Sequence, residues 1–314
     1  MASTSERWPV PVDERALATA SRGRRWYALL LGTRPRQALT KNLLVLTAPA
    51  LGGQLLSDAA VVPGTLVAFV AFVTLSSAVY LVNDVRDVEL DRCHPTKSRR
   101  PIASGALRVP FALGGALVLA AGGLGLALWW SPALAVVLLT YVLVQAAYCT
   151  HLKHVPGVDM VTVVSGFVLR VVAGGVAAAV EVSVPFVVVV GLAALFMVAG
   201  KRYSEMWMLG AAAGTRSSLA RYSLRSLRLV WALSGAFAVV GYAVAATGLA
   251  PLGSAAAAWA IVSVPLFAAG MARYAQHVRL GRAGSPERVV YGDWILQVLG
   301  ALWLAPLVAA VVLA

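Results

Sequence analysis

Four of the chain's 13 acidic residues, Asp84, Asp87, Glu89 and Asp91, fall within the ten residues Asn83 to Arg92. An even spread along 314 residues would put fewer than one there. At about 100° per residue on a helix, Asn83, Asp84, Asp87 and Asp91 fit within about 100° of arc, while Glu89 points elsewhere. One helical face therefore carries three carboxylates and an amide. Like charges at that spacing repel unless a cation lies between them. Hard oxygen donors on a face open to water suit Mg2+, which keeps part of its water shell and is readily shared with substrate phosphates. The expected metal ligands are Asn83, Asp84, Asp87 and Asp91, with Asp84, Asp87 and Asp91 as the catalytic acids and a diphosphate as the group they serve. The alternative is a solvated acidic turn neutralised by Arg86, Arg92, Lys97, Arg99 and Arg100.

Two further groups have chemical potential. In FMVAGKRYSE, the residues Lys201, Arg202, Tyr203 and Glu205 abut an apolar run and are followed by Arg216, Arg221, Arg225 and Arg228. Lysine and arginine bind phosphate, which makes the first group candidate substrate-binding residues; the four later arginines equally suit anchoring at an anionic leaflet. Arg170 stands near the middle of another apolar run, where an ionisable group is costly and usually faces a water-filled or substrate-filled cavity. Gly166 and Gly174 lie one turn to either side and make room for it, and Asp159, Thr162, Gly166 and Arg170 share a face that can line a lipid path. Close helix packing at the small residues, with Arg170 paired to a carboxylate, is the alternative.

The elements that position these residues are membrane helices. The chain is 60% hydrophobic and 12% charged, with a mean hydropathy of +0.81. Ordinary soluble domains are about half apolar and about a quarter charged, and disordered chains are less hydrophobic still. Nine runs long enough to span a bilayer are expected at 38–56, 63–82, 109–129, 132–150, 158–179, 184–201, 229–247, 254–273 and 291–313. Lys and Arg occupy only alternate connecting segments, so 25 of the 26 cations fall on one side and Arg170 is the exception. The positive-inside rule makes that side the cytoplasm, with the N-terminus inside and the C-terminus outside. The net charge of +13 is thus mainly topological, and no nucleic-acid partner is implied. Cys93 and Cys149 form no metal or disulfide pattern, and no cleaved signal peptide is expected. Residues 1–37 read as a basic cytoplasmic segment able to form an interfacial helix, and 38–314 as the membrane domain.

NDVRDVELD resembles the NDxxDxxxD motif of the UbiA superfamily of intramembrane prenyltransferases, and RRPIASG resembles that superfamily's continuation. RPRQALTKN, Arg34 to Asn42, is similar to its first-helix start and adds Lys41 and Asn42 to the candidate substrate-binding residues. The resemblance implies an all-α, polytopic bundle of nine transmembrane helices with an Mg2+-dependent site in a cytoplasmic-facing cavity. One departure stands out: GKRYSE occupies the place of the superfamily's second acidic motif, DxxxD. Together with HPTKSRRP, which adds Lys97, it resembles the actinobacterial decaprenyl-phosphate phosphoribosyltransferases. That branch implies transfer of 5-phosphoribosyl from phosphoribosyl diphosphate to decaprenyl phosphate in the plasma membrane, toward the arabinose donor of cell-wall arabinogalactan. Cations in place of carboxylates suit the donor's extra phosphate. A prenyl diphosphate with an aromatic acceptor, or a transporter built around Arg170, are the other readings, and the oligomeric state, a homo-oligomer included, is left open.

Overall fold

The computed structural model describes residues 22–94, 96–209, 221–248 and 253–313, and every regular element among them is helical. A short helix α1 (Arg22–Gly32) leads into α2 (Pro35–Asn42), a 3-10 turn (Leu43–Leu46), α3 (Thr47–Leu51) and α4 (Gln54–Ser57). Helix α5 (Val61–Arg86) is followed by the short α6 (Val88–Arg92), then α7 (Val109–Trp130), α8 (Pro132–Thr150) and α9 (Val158–Ala178). The remainder comprises α10 (Val184–Leu209), α11 (Leu224–Thr247), α12 (Ala255–Arg279), the short α13 (Pro286–Gly292) and α14 (Trp294–Leu313). Eight of these helices are long and apolar enough to cross a bilayer, so the chain is a multi-pass membrane protein.

Eight of the nine expected spans are thus single helices. The first, expected at 38–56, is instead broken into the pieces α2 to α4. Pro49 has no N–H to offer the Val45 carbonyl four residues back, which removes one rung of the α-helical ladder in this segment. The two residues after α3 are Gly52 and Gly53, and Gly53 takes the left-handed φ of +73° that bends the chain before α4. The Val45 carbonyl lies against Gly174 of α9, where any Cβ would overlap it. The broken span is therefore seated on α9 by backbone contact.

Helices α5 and α9 are the inner pair: half of the apolar stretch of each is buried inside the protein, against 17% for the peripheral α14. One core cluster joins α5, α7, α8 and α9 through Phe72, Ala127, Leu138, Tyr141 and Ala173; another joins α9 to α10, α11 and α12 through Met160, Phe196, Trp231 and Tyr274. Helix α9 contributes to both. Helix starts follow local chemistry: Ser131 accepts from the Leu134 N–H with Pro132 at the first helical position, and Ser223 forms a capping box with Ser226.

Replacing Gly174 by Ala should cost about 1–3 kcal/mol of stability, because backbone rather than a flexible side chain must move to admit the methyl group. Gly114→Ala, with nothing within 4 Å of its would-be Cβ, should be neutral or stabilising. Thermal unfolding of the two variants in detergent checks the contrast; equal melting would show that α9 and the broken span are not locked at this contact.

Candidate active site

The acidic face forms where α5 ends and α6 begins. Asp84 lies in the last turn of α5 and is 3% exposed. Asp87 interrupts the helix between α5 and α6, yet the Asp87 N–H still donates to the Asn83 carbonyl at 3.0 Å and the Asp91 N–H to the Asp87 carbonyl at 2.8 Å. The helical arc expected for Asp84, Asp87 and Asp91 is thereby nearly preserved. Glu89 points away, 78% exposed and paired with Arg92 at 2.9 Å.

A buried carboxylate without a cation would be strongly destabilising, and each of these acids has one. Arg100 Nη1 stands 3.1 Å from Asp84 Oδ1 and 2.5 Å from Asp91 Oδ2. Arg34 Nη2 also pairs with Asp84, and its guanidinium lies 5.3 Å from the Tyr80 ring centroid. Lys153 Nζ reaches Asp87 Oδ1 at 2.5 Å, while Asn83 Nδ2 donates to Asp87 Oδ2 at 3.1 Å. Arg34 takes a left-handed φ of +53° just before Pro35, a conformation costing about 1–3 kcal/mol for a side chain with a Cβ. Its pairing with Asp84 holds it there.

From the sequence Arg100 is expected only as a neutralising charge, and Arg34 and Lys153 are not among the expected site residues. A signal was present for each: Arg34 stands in RPRQALTKN, and Lys153 is the lone cation between α8 and α9, beside His151 and His154. His94, which precedes Lys97, has its imidazole held below the ordinary value, first by partial desolvation and then by the Lys97 charge. It is neutral at physiological pH.

Among the described residues no three acidic, His or Cys side chains gather closely enough to hold a metal ion by themselves. The four expected ligands divide into Asp84 with Asp91, sharing Arg100, and Asp87 with Asn83, on Lys153. The donor set still fits Mg2+. That ion is typically held by one or two carboxylates with substrate phosphates and water completing its shell, and Asp84 and Asp91 already aim oxygens at one shared positive charge.

Of the remaining nominated residues, Asn42, Arg170, Arg202 and Tyr203 are buried. Among the described residues Arg170 pairs with no carboxylate: Nε donates to Asn42 Oδ1 at 2.6 Å, Nη1 to the Gly166 carbonyl at 2.5 Å and Nη2 to the Tyr141 hydroxyl at 3.4 Å, with the Phe72 and Tyr141 rings about it. Asn42, fully buried, donates in turn to Ser76 Oγ at 2.8 Å and to the Ala38 carbonyl at 2.7 Å. Arg170 and Asn42 thus tie α2, α5, α8 and α9 together, since neutral acceptors and ring faces solvate the guanidinium.

Arg202 is likewise committed, 2% exposed and paired with the buried Asp159, whose other oxygen accepts from the Tyr222 hydroxyl at 2.5 Å. Burial, with Asp159 beside it, pushes the Tyr222 hydroxyl up to about 12, so it stays a donor. Tyr203 is buried in the core between Trp207 and Trp231. Lys201 and Glu205 remain partly exposed, 3.9 Å apart, and Lys41 meets Glu287 of α13 at 3.4 Å. Burial alone would raise the Glu287 pKa, but Lys41 and Lys201 outweigh it and hold the carboxyl below the usual range. Arg221, Arg225 and Arg228 are exposed, as headgroup anchors would be; Arg216 lies outside the described residues.

The family model described as the UbiA prenyltransferase family matches residues 46–298. The chain belongs to the UbiA prenyltransferase family. This UbiA-family chain is 41% identical over 293 residues to the decaprenyl-phosphate phosphoribosyltransferase of Mycolicibacterium smegmatis, covering 90% of this chain and 92% of that protein. It is 43% identical over 282 residues to the protein of the same name from Mycobacterium tuberculosis, covering 88% and 92%. In fold it is similar to a UbiA homolog from Archaeoglobus fulgidus solved with DMAPP and Mg2+, with a TM-score of 0.68 at 17% identity over 92% of this chain and 100% of that one. It is also similar to a digeranylgeranylglyceryl phosphate synthase, with a TM-score of 0.66 at 18% identity over 92% and 99%.

Arg202→Met should cost about 3–5 kcal/mol, because it leaves Asp159 buried without its cation. Adding Asp159→Asn to that variant should restore part of the loss. Thermal melts of the single and double variants check this coupling, and additive losses would argue against it.

Proposed function

We propose that this chain transfers a 5-phosphoribosyl group from phosphoribosyl diphosphate to decaprenyl phosphate at the cytoplasmic face of the plasma membrane, toward the arabinose donor of the cell wall. The single observation that carries the reading is the pair of buried carboxylates, Asp84 and Asp91, converging on one positive charge. The identity of 41% to 43% with relatives bearing that name supports the choice of donor and acceptor.

In this reading Asp84 and Asp91, with Asn83 and Asp87 beside them, hold Mg2+, which when bound offsets the charge that builds on the departing diphosphate. Arg34, Arg100 and Lys153 pair with the acids in the free protein and are cations that phosphate oxygens can accept from instead. Lys41, Lys97 and Lys201 supply further positive charge for the donor's 5-phosphate. A phosphate monoester has a second pKa of about 6, so the acceptor is largely a dianion at neutral pH and needs no general base. One of its oxygens forms the new bond to ribose C1 as the bond from C1 to diphosphate breaks, and the bonding electrons leave with the diphosphate. The polyprenyl chain keeps the acceptor in the bilayer, each buried CH2 contributing about 0.8 kcal/mol.

Purified protein in lipid, given polyprenyl phosphate, Mg2+ and labelled phosphoribosyl diphosphate, should move label into the lipid with inversion at C1. Failure to label the lipid, with turnover of a prenyl diphosphate and an aromatic acceptor, would overturn the reading. Asp91→Asn should abolish turnover while leaving the melting temperature close to that of the parent protein. Lys201→Gln should raise the KM for the donor by about tenfold, the effect of one lost charge-assisted hydrogen bond, and leave kcat nearly unchanged.

A further inference from the structure

A cationic cavity, of about 350 Å3, lies where α12, α13 and α14 meet, and the function proposed above gives it no task. Its wall carries Arg273, His277, Arg282 and Arg288 against a single carboxylate, Asp293. None of these cations pairs with Asp84, Asp87 or Asp91. Helix α13 stands between the two regions: Glu287 pairs with Lys41, while the next residue, Arg288, lines the cavity.

The hydrogen-bonding capacity of Asp293 is already used. Oδ2 accepts from Arg273 Nε at 2.7 Å and faces His277 Nε2 at 2.5 Å. Oδ1 accepts from the backbone N–H groups of Ile295 and Leu296 at 2.9 and 3.3 Å, which caps α14. The carboxylate therefore fixes Arg273 and His277 in the wall and has no oxygen left for another cation. Arg282 and Arg288 are exposed, and their side chains have no hydrogen-bond or ion-pair partner among the described residues. Three guanidinium groups against one carboxylate leave two positive charges uncompensated across one cavity. Guanidinium forks match the oxygens of a phosphate group in pairs. Trp294, 70% exposed, lines the same cavity, and Tyr291 beside it is 57% exposed. Aromatic side chains of this kind collect at the headgroup level of bilayers.

We propose that this cavity is a binding site for a phosphate-ester anion, gripped by Arg282 and Arg288 and completed by the Arg273 that Asp293 holds in place. The same chemistry is offered by the headgroup of an anionic lipid and by free phosphate.

The test uses the full-length protein in neutral detergent micelles, titrated separately with short-chain phosphatidylglycerol, short-chain phosphatidylcholine and inorganic phosphate. The readout is the fluorescence change that Trp294→Phe removes. Phosphatidylglycerol should give a saturable change, and Arg282→Gln with Arg288→Gln should weaken it by about tenfold or more, as expected for losing two charge-assisted contacts. Both arginines are exposed, so the double variant should melt with the parent protein. Saturation by inorganic phosphate at equal or lower concentration supports the cavity and makes the soluble anion its occupant; saturation by phosphatidylglycerol alone supports the lipid. An equal response to phosphatidylcholine, no Trp294-dependent change with any probe, or unchanged affinity in the double variant would overturn the proposal.

Discussion

A carboxylate at the dry end of a membrane helix must have a cation against it, and much of this structure's polar end follows from that requirement at Asp84. Removing an ion from water costs several kcal/mol even after the protein relaxes, so a 3%-exposed aspartate constrains every segment that can supply a positive charge. Arg34 comes from the joint between α1 and α2, in a left-handed backbone conformation that only a firm side-chain anchor explains. Arg100 comes from the turn after α6 and brings Asp91 with it. Two segments far apart in sequence are thus gathered onto the last turn of α5.

The same rule operates at the other polar centres, with different outcomes. Asp159 and Arg202 neutralise each other almost completely out of water and, with Tyr222, fasten the first turn of α9 to α10. Arg170 pairs with no acid among the described residues; an amide, a carbonyl, a hydroxyl and ring faces stand in for water and join α2, α5, α8 and α9. Buried among their partners, these two groups tie helices together. At Asp84, Asp87 and Asp91 the partners are partly exposed cations on loops and a helix joint, which are the kind of contacts that a more highly charged ligand can replace. That difference in exposure, rather than the mere presence of charge in the membrane, separates the candidate active site from the structural ion pairs.

Much of this was legible in the residues themselves. Continuous apolar runs and alternating cation-rich joints specify membrane helices, because an unpaired backbone cannot cross a bilayer and cations do not cross it readily. NDVRDVELD marks the acidic face, since helical spacing is a property of the local chain, and the structure keeps that arc despite the interruption at Asp87. The broken first span was harder to read: its hydropathy matches that of a spanning helix, and only the seat on Gly174 shows where the carbonyl freed by Pro49 goes.

What the sequence by itself determined is the class of element, the family through its acidic motif, and the face on which Asp84, Asp87 and Asp91 stand. Only the tertiary structure decided which cations serve them. Arg34, Arg100 and Lys153 were chosen by proximity in space, while Arg170, Arg202 and Tyr203, equally plausible by residue type, were turned into the core by the helices packed around them. Spacing along a chain reports what one helix presents, whereas the partner of a buried charge is set by whichever helix ends meet it, and that is a property of packing between segments dozens of residues apart.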